Sequence, residues 1–272
     1  MHVTFSGDAQ RVALASIKAH VERPYAILAP SEMAAMLDAS SETAPIVEGS
    51  DRIGRATWQH KGSGNVERDG VIIATALATG LRCAELAALS IGSLIHTTWH
   101  DRKAQGMVSA WYVDVRAGKG NKDRQVWISE DDANNLLDYI QASGRRYGRA
   151  SDVAAPLFIS TGNRNKNGRM SVNHIRRVID AAADRAQANG TIAAGKAVSP
   201  HSLRHSYAIN LLQGDEEAGR RPATIMEVKE LLGHASVVTT QKYLAHLDSH
   251  ERASLAPSIA GMRRRYQQKQ SS

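Results

Sequence analysis

One stretch of this 272-residue chain limits its possible folds more than any other, GVIIATALATG at residues 70–80. Its residues are apolar on nearly all sides of a helix, which predicts a buried helix rather than one with a solvent-facing side. Gly80 follows the last apolar position and predicts the helix end, because glycine readily adopts the left-handed conformation that closes helices. A chain of this length can bury a substantial core around such a helix.

The periodicity of apolar residues changes once along the chain. Trp111–Val115 and Gln125–Ile128 are rich in β-branched and aromatic residues and flank a Gly/Asn/Lys turn, which predicts a β-hairpin. Residues 40–68 are polar and Gly-rich and are predicted to be irregular. Helical patterns are predicted at 8–22, from an N-cap at Ser31 to Ala39, within 81–89, and near 130–142, 171–188, 201–213, 223–232 and 236–246. The predicted fold class is mostly α (α+β), a helical domain with one small antiparallel sheet.

Composition excludes several classes of protein. No apolar run approaches the roughly 20 residues that span a bilayer, and the first ten residues do not resemble a signal peptide. The single cysteine, Cys83, excludes internal disulfides and multi-cysteine zinc sites and is typical of a reducing cytosol, so a cytoplasmic protein is expected. A net charge of +7 is consistent with a polyanionic partner.

The segment SPHSLRHSYA, residues 199–208, places His201, Arg204 and His205 within about one helical turn. Such a cluster can be a zinc site, half of a nucleophile–base pair, a phosphate clamp or a solvated polar face. Zinc is disfavoured, because the metalloprotease pattern needs a Glu where Ser202 stands and no third ligand is evident. The segment alone does not decide among the other three.

Three further segments decide the matter: TGLRCAEL at 79–86, GKGNKDR at 118–124 and ELLGHASVVTTQKYLAH at 230–246. With the histidine–arginine segment between the last two, their order and spacing resemble the catalytic domain of the tyrosine recombinase (phage integrase) family. The likeness covers about 28–250, and the chain resembles short members that lack the full N-terminal DNA-binding domain. It implies three parts: a short helical segment at 1–27, the catalytic domain at 28–250, and a C-terminal helix and basic tail at 251–272.

The resemblance implies attack of a tyrosine on a DNA phosphodiester, giving a 3′-phosphotyrosyl bond without any metal or other cofactor. Arg82 and Arg204 would grip the phosphate, because a guanidinium stays charged and matches phosphate with paired donors. His201 would serve as the base and Lys119 as the acid. The implied catalytic residues are Arg82, Lys119, His201, Arg204, His234 and the nucleophile Tyr243, with Glu85 in support and Lys122 and Arg124 as DNA contacts.

Two assignments have rivals within the same segments. Lys122 competes with Lys119 for the acid, and Tyr207 competes with Tyr243 for the nucleophile, although Tyr207 is interpreted as core packing one turn from Leu203. The expected partners are double-stranded DNA with an inverted-repeat core site and further copies of the chain in a tetramer. Apolar residues Leu255, Ile259 and Met262 are expected to dock on a neighbouring subunit. Alternative functions are a DNA-binding accessory protein with this fold and a relaxing enzyme similar to type IB topoisomerases.

Overall fold

The computed structural model describes residues 26–41, 63–101, 105–116, 123–160, 168–233 and 258–270. The helices expected at 8–22 and 236–246 lie outside these residues, as does the tip of the hairpin.

Eight α-helices and three β-strands make up the described part of the chain. The helices are α1 (Pro30–Ser41), α2 (Ser63–Thr79), α3 (Cys83–Ala88), α4 (Glu130–Ala142), α5 (Val172–Ala188), α6 (Pro200–Gln213), α7 (Ile225–Leu232) and α8 (Ile259–Gln270). The strands are β1 (Leu94–Asp101), β2 (Gly106–Val115) and β3 (Arg124–Ile128), and short 3-10 turns lie at Ile91–Ser93, Ala150–Asp152 and Glu216–Ala218. A mostly helical fold with one small antiparallel sheet is thus confirmed. No helix in these described segments is both long and apolar enough to cross a membrane.

Helix α2 is the buried helix that the apolar stretch predicts. Ile72, Ile73 and Leu77 are at most 1% exposed, and α2 packs against α1, α4, α5 and α6. It ends at Thr79, where Gly80 takes φ +61°, as expected of a closing glycine. The helix begins at Ser63, so the prediction that residues 40–68 are irregular is wrong for residues 63–68.

The sheet is a meander in the order β1–β2–β3, with antiparallel pairing throughout. Leu94, Val113 and Val126 align across the three strands and are buried in the core. The predicted hairpin corresponds to β2 and β3, whereas β1 is not predicted from the sequence. Its run LIHTTWHD nevertheless carries the β-branched and aromatic residues that favour strands.

Helix α8 packs against its own chain. Ile259 is 1% exposed and Met262 is 9% exposed, and both belong to the core against which α1, α2 and α4 pack. These two residues therefore do not need a neighbouring subunit to cover them, contrary to the sequence expectation; Leu255 lies outside the described residues. Helix α1 also differs slightly from expectation, because it begins at Pro30 and so includes Ser31.

Candidate active site

Arg82 and Glu85 lie at the start of helix α3. Arg82 is the extended residue that precedes the helix, and Glu85 is its third helical residue. The Glu85 carboxylate accepts a hydrogen bond of 2.8 Å from the Arg82 backbone N–H and one of 3.2 Å from Arg82 Nη1. This arrangement closes the helix N-terminus and fixes the arginine beside it. The Arg82 side chain remains 39% exposed and can reach a ligand from solvent.

Arg204 approaches the same carboxylate from helix α6. Ser199 caps this helix by accepting a hydrogen bond from the Ser202 backbone N–H, and Pro200 occupies the first turn. Arg204 Nη1 donates to the Gly80 carbonyl at 2.7 Å and lies 3.8 Å from Glu85 Oε2, while Nη2 donates to the Leu232 carbonyl. Burial and the charge of Arg82 lower the pKa of Arg204 to about 10, which leaves the guanidinium charged at neutral pH.

Glu85 is a shared counter-ion, and its principal partner is Arg124 on β3. Arg124 Nη1 and Nη2 donate to the two Glu85 oxygens at 3.0 Å each, and Arg124 Nε donates to the Leu231 carbonyl at 2.8 Å. Burial by itself would raise the pKa of Glu85, but hydrogen bonds from Arg124 and the Arg82 backbone lower it. The carboxylate is therefore ionised at neutral pH. The sequence predicts a DNA contact for Arg124, yet its side chain is only 6% exposed.

His201 lies in the first turn of α6, one turn before Arg204, and is exposed. Desolvation lowers the pKa of His201, and the positive charges of Arg204, Arg176 and Arg82 lower it further. A ring nitrogen that is unprotonated at neutral pH can accept a proton from a nucleophile. The structure thus brings together five of the predicted site residues: Arg82, Glu85, Arg124, His201 and Arg204.

Comparison with known proteins shows the family of the chain. The model of the phage integrase family matches residues 57–250. The chain belongs to the phage integrase family. The tyrosine recombinase XerC of Pelobacter propionicus is 32% identical over 176 residues, which are 65% of this chain and 47% of that protein. XerA of Pyrococcus furiosus is 30% identical over 199 residues, which are 71% of this chain and 57% of that protein.

A solved structure shares the fold as well. The crystal structure of XerA recombinase superposes with a TM-score of 0.50 at 27% identity, covering 91% of this chain and 64% of that one. The chain spans about half the length of the curated relatives that it matches.

Four predicted site residues of this family member, Lys119, Lys122, His234 and Tyr243, lie outside the described residues. Their assignments stay predictions. Within the described part of the chain, no group of three His, Cys, Asp or Glu side chains could hold a metal ion.

Two contributions to the site are not found by motif reasoning. Arg176 on α5 acts on His201 through its charge, and the Gly80 carbonyl accepts a hydrogen bond from Arg204. The sequence predicts that a helix ends at Gly80, but it does not predict that the carbonyl there accepts from Arg204, 124 residues later. The influence of Arg176 on His201 cannot be inferred, because it depends on how α5 packs beside α6.

Proposed function

We propose that this chain is a site-specific DNA recombinase that cleaves and rejoins DNA through a 3′-phosphotyrosyl intermediate. One observation carries the proposal. Arg82, just before helix α3, and Arg204, on helix α6, share the carboxylate of Glu85 beside a histidine, His201, whose pKa is lowered. Such a group of side chains suits a reaction at an anion that has to be held while a proton is removed nearby.

The charges favour a phosphodiester over a neutral substrate. Glu85 neutralises one of the three guanidinium groups around it, those of Arg82, Arg124 and Arg204, so the four side chains carry a formal charge of +2. Arg82 is exposed enough to bind a phosphate oxygen directly. In the transition state of phosphoryl transfer, charge spreads over the non-bridging oxygens, and donors already fixed towards them stabilise that state.

Proton transfers complete the proposed reaction. The phenol of Tyr243 has an ordinary pKa of about 10, so it needs a base to attack at neutral pH. His201 accepts that proton, and the phenolate oxygen bonds to phosphorus as the 5′-oxygen leaves. Lys119 donates a proton to the leaving oxygen, and His234 donates a further hydrogen bond to the phosphate. The phosphotyrosyl bond conserves the energy of the broken bond, so rejoining requires no cofactor.

The proposed substrate is double-stranded DNA that carries an inverted-repeat core site. Each active site cuts one strand, so exchange between two duplexes needs four copies of the chain, assembled on the DNA as a tetramer. The net charge of +7 supports a polyanionic partner. Integration, inversion and multimer resolution all use this chemistry, and an element of a bacterial chromosome or plasmid is the expected setting.

A covalent-adduct assay tests the proposal. Wild-type protein, Tyr243→Phe and Tyr207→Phe are incubated with double-stranded fragments of the DNA that flanks the gene and then run on a denaturing gel. Adduct is expected with the wild type and with Tyr207→Phe, and none with Tyr243→Phe, although that variant should bind the DNA normally. Adduct formed by Tyr243→Phe would show that Tyr243 is not the nucleophile. DNA binding without wild-type adduct would favour the accessory protein, and relaxation of supercoiled DNA of any sequence would favour the topoisomerase-like enzyme.

A further inference from the structure

Arg124 lies where three segments of the proposed active site meet. It is the first residue of β3 and pairs with Val115, so it stands at the base of the hairpin whose tip carries Lys119. Its two Nη atoms hold Glu85 at the start of α3, and its Nε atom holds the Leu231 carbonyl near the end of α7.

This environment is unsuited to a DNA contact. The Arg124 side chain is 6% exposed, close to the 8% of Arg204, so burial alone does not exclude a DNA contact. All three nitrogens of Arg124, however, already donate hydrogen bonds within the protein. The backbone also approaches Arg124 closely, since a Cβ atom at Gly233 would lie 3.0 Å from Arg124 Nη1. A phosphate could reach the guanidinium only by displacing Glu85 or the end of α7.

Arg124 and Arg204 both bind the end of α7. Arg124 donates to the Leu231 carbonyl and Arg204 to the Leu232 carbonyl. These are among the last carbonyls of the helix, which the helix itself leaves without backbone donors. Gly233 follows in the left-handed conformation, with φ +65°, and the next residue in sequence is His234. Arg124 and Arg204 thus hold the last helical residues that precede His234 in the sequence.

We propose that Arg124 is a positioning residue: it holds Glu85 as the common counter-ion of Arg82 and Arg204 and fixes the end of α7 ahead of His234. This inference rests on the proposed recombinase function. Without Arg124, Glu85 loses its strongest partner and pairs more tightly with Arg82 or Arg204, which withdraws that arginine from the scissile phosphate. The last turn of α7 loses a carbonyl partner at the same time.

The first experiment compares Arg124→Gln with Arg221→Gln. Arg221 makes an equivalent two-point ion pair with buried Glu227 at the other end of α7, so it is a matched control for the loss of an arginine–glutamate pair. At saturating DNA, Arg124→Gln should slow single-turnover cleavage by about 10–100-fold, by analogy with the loss of groups that orient the ligands of catalytic metals. Arg221→Gln should cleave at the wild-type rate.

DNA binding separates positioning from phosphate contact. Arg124→Gln should leave the affinity for DNA and its salt dependence unchanged. If the slope of log affinity against log salt becomes shallower by about 0.9, Arg124 contacts a phosphate and the proposal is overturned. Arg124→Lys keeps the charge but cannot span both Glu85 oxygens and Leu231, so its cleavage rate should lie between wild type and Arg124→Gln. A fully active Arg124→Lys would also overturn the proposal.

A neutral substrate tests whether Arg124 acts through the other arginines. Replacing one non-bridging oxygen of the scissile phosphate by a methyl group removes the charge that Arg82 and Arg204 neutralise. The defect of Arg124→Gln should shrink on this methylphosphonate, and Arg124→Gln combined with Glu85→Gln should be no slower than the slower single variant. The proposal is contradicted if Arg124→Gln is equally slow on both substrates and if the rate losses of the two single variants multiply in the double variant. That result would indicate general damage to the fold.

One readout does not depend on cleavage at all. Amide hydrogen exchange in a peptide that spans residues 229–235 should accelerate in Arg124→Gln and stay unchanged in Arg221→Gln, because only the former releases the Leu231 carbonyl. Unchanged exchange in Arg124→Gln would overturn the structural part of the proposal. Absence of adduct with the wild type, together with accelerated exchange in Arg124→Gln, would instead reject the recombinase function and retain Arg124 as the residue that holds α7.

Discussion

The ring of Tyr207 packs directly on Gly80, so closely that a Cβ atom at position 80 would lie 2.4 Å from Tyr207 Cδ1. Tyr207 is 2% exposed, and its burial raises the pKa of its phenol. A phenol that is both inaccessible and harder to ionise is a poor nucleophile. The interpretation of Tyr207 as core packing is therefore confirmed, and the contact leaves Tyr243 as the predicted nucleophile.

Gly80→Ala should destabilise the protein and slow DNA cleavage. The substitution adds a methyl group against the Tyr207 ring at a residue with φ +61°. Overpacking of this kind costs roughly 1–3 kcal/mol, in addition to about 1–2 kcal/mol for a non-glycine residue in the left-handed region. Cleavage should slow as well, because the Gly80 carbonyl that receives Arg204 is displaced.

Urea denaturation measures the stability change, with Gly195→Ala as the control. Gly195 also has positive φ, +83°, but no atom lies within 4 Å of its would-be Cβ. The free energy of unfolding of Gly195→Ala should fall only by the cost of placing a non-glycine residue in the left-handed region, about 1–2 kcal/mol. Equal losses at the two positions would show that the contact with Tyr207 has no energetic consequence.

Much of the helical frame can be predicted from the sequence because it depends on local patterns. The apolar run of α2 and its glycine end specify a buried helix without reference to the rest of the chain. The hairpin strands can likewise be identified from residue types on either side of a turn. Arg82, His201 and Arg204 can be found because each lies in a short motif whose spacing the fold preserves.

The ion pairs could not be predicted in the same way. The letters GKGNKDR predict a basic hairpin tip but do not reveal that Arg124 meets Glu85, 39 residues earlier in the chain. The same holds for the basic run Arg263–Arg265, which pairs with Asp38, Asp131 and Asp215. Which carboxylate an arginine meets depends on helix packing, and no local pattern encodes it.

Ile259→Ala should destabilise the isolated chain. Ile259 is 1% exposed in the core of its own chain, and truncation of such a residue typically costs about 2–5 kcal/mol. The midpoint of urea denaturation should fall accordingly in the absence of DNA and at low protein concentration. Unchanged stability of the monomer would indicate that α8 leaves its own chain and docks elsewhere.

Arg264→Ala is the surface control for that experiment. Arg264 joins Asp131 in an ion pair whose side chains are 59% and 43% exposed. Exposed pairs contribute at most about 1 kcal/mol, so this variant should unfold close to the wild type. A loss as large as that of Ile259→Ala would mean that charge, rather than apolar burial, holds α8 in place.

Arg176→Gln should shift the pH dependence of cleavage. Desolvation and neighbouring arginines lower the pKa of His201, so His201 remains an available base at pH values below the usual histidine range. Cleavage should therefore decline as the pH falls through this lowered pKa. Removing the charge of Arg176 raises the pKa of His201, and the decline should begin at a higher pH.

Single-turnover rates at saturating DNA, measured across pH, test this shift. Arg177→Gln is the control, since Arg177 is the next residue of α5, is exposed and does not contribute to the lowered pKa of His201. Its profile should match the wild type. The difference between the variants should shrink at high salt, which screens exposed charges. Identical profiles for Arg176→Gln and the wild type at low salt would show that His201 is not the titrating base.

The proposed role of Lys119 as the general acid can be tested directly with a modified substrate. Loss of Lys119 should slow cleavage by about 10²–10⁴-fold, the usual contribution of positioned proton transfer. Loss of a phosphate contact could slow the reaction equally, so the rate on ordinary DNA does not discriminate. Replacing the bridging 5′-oxygen by sulfur does, because a thiol has a pKa near 8.5 and leaves without a proton.

Lys119→Ala should therefore cleave the sulfur-substituted DNA nearly as fast as the wild type does. Arg82→Ala and Arg204→Ala should stay slow on it, because their proposed task lies at the non-bridging oxygens, which the sulfur leaves unchanged. Lys122→Ala should show little defect on either substrate. A Lys119→Ala enzyme that stays slow on the sulfur substrate would exclude Lys119 as the acid, and rescue of Lys122→Ala instead would transfer that role to Lys122.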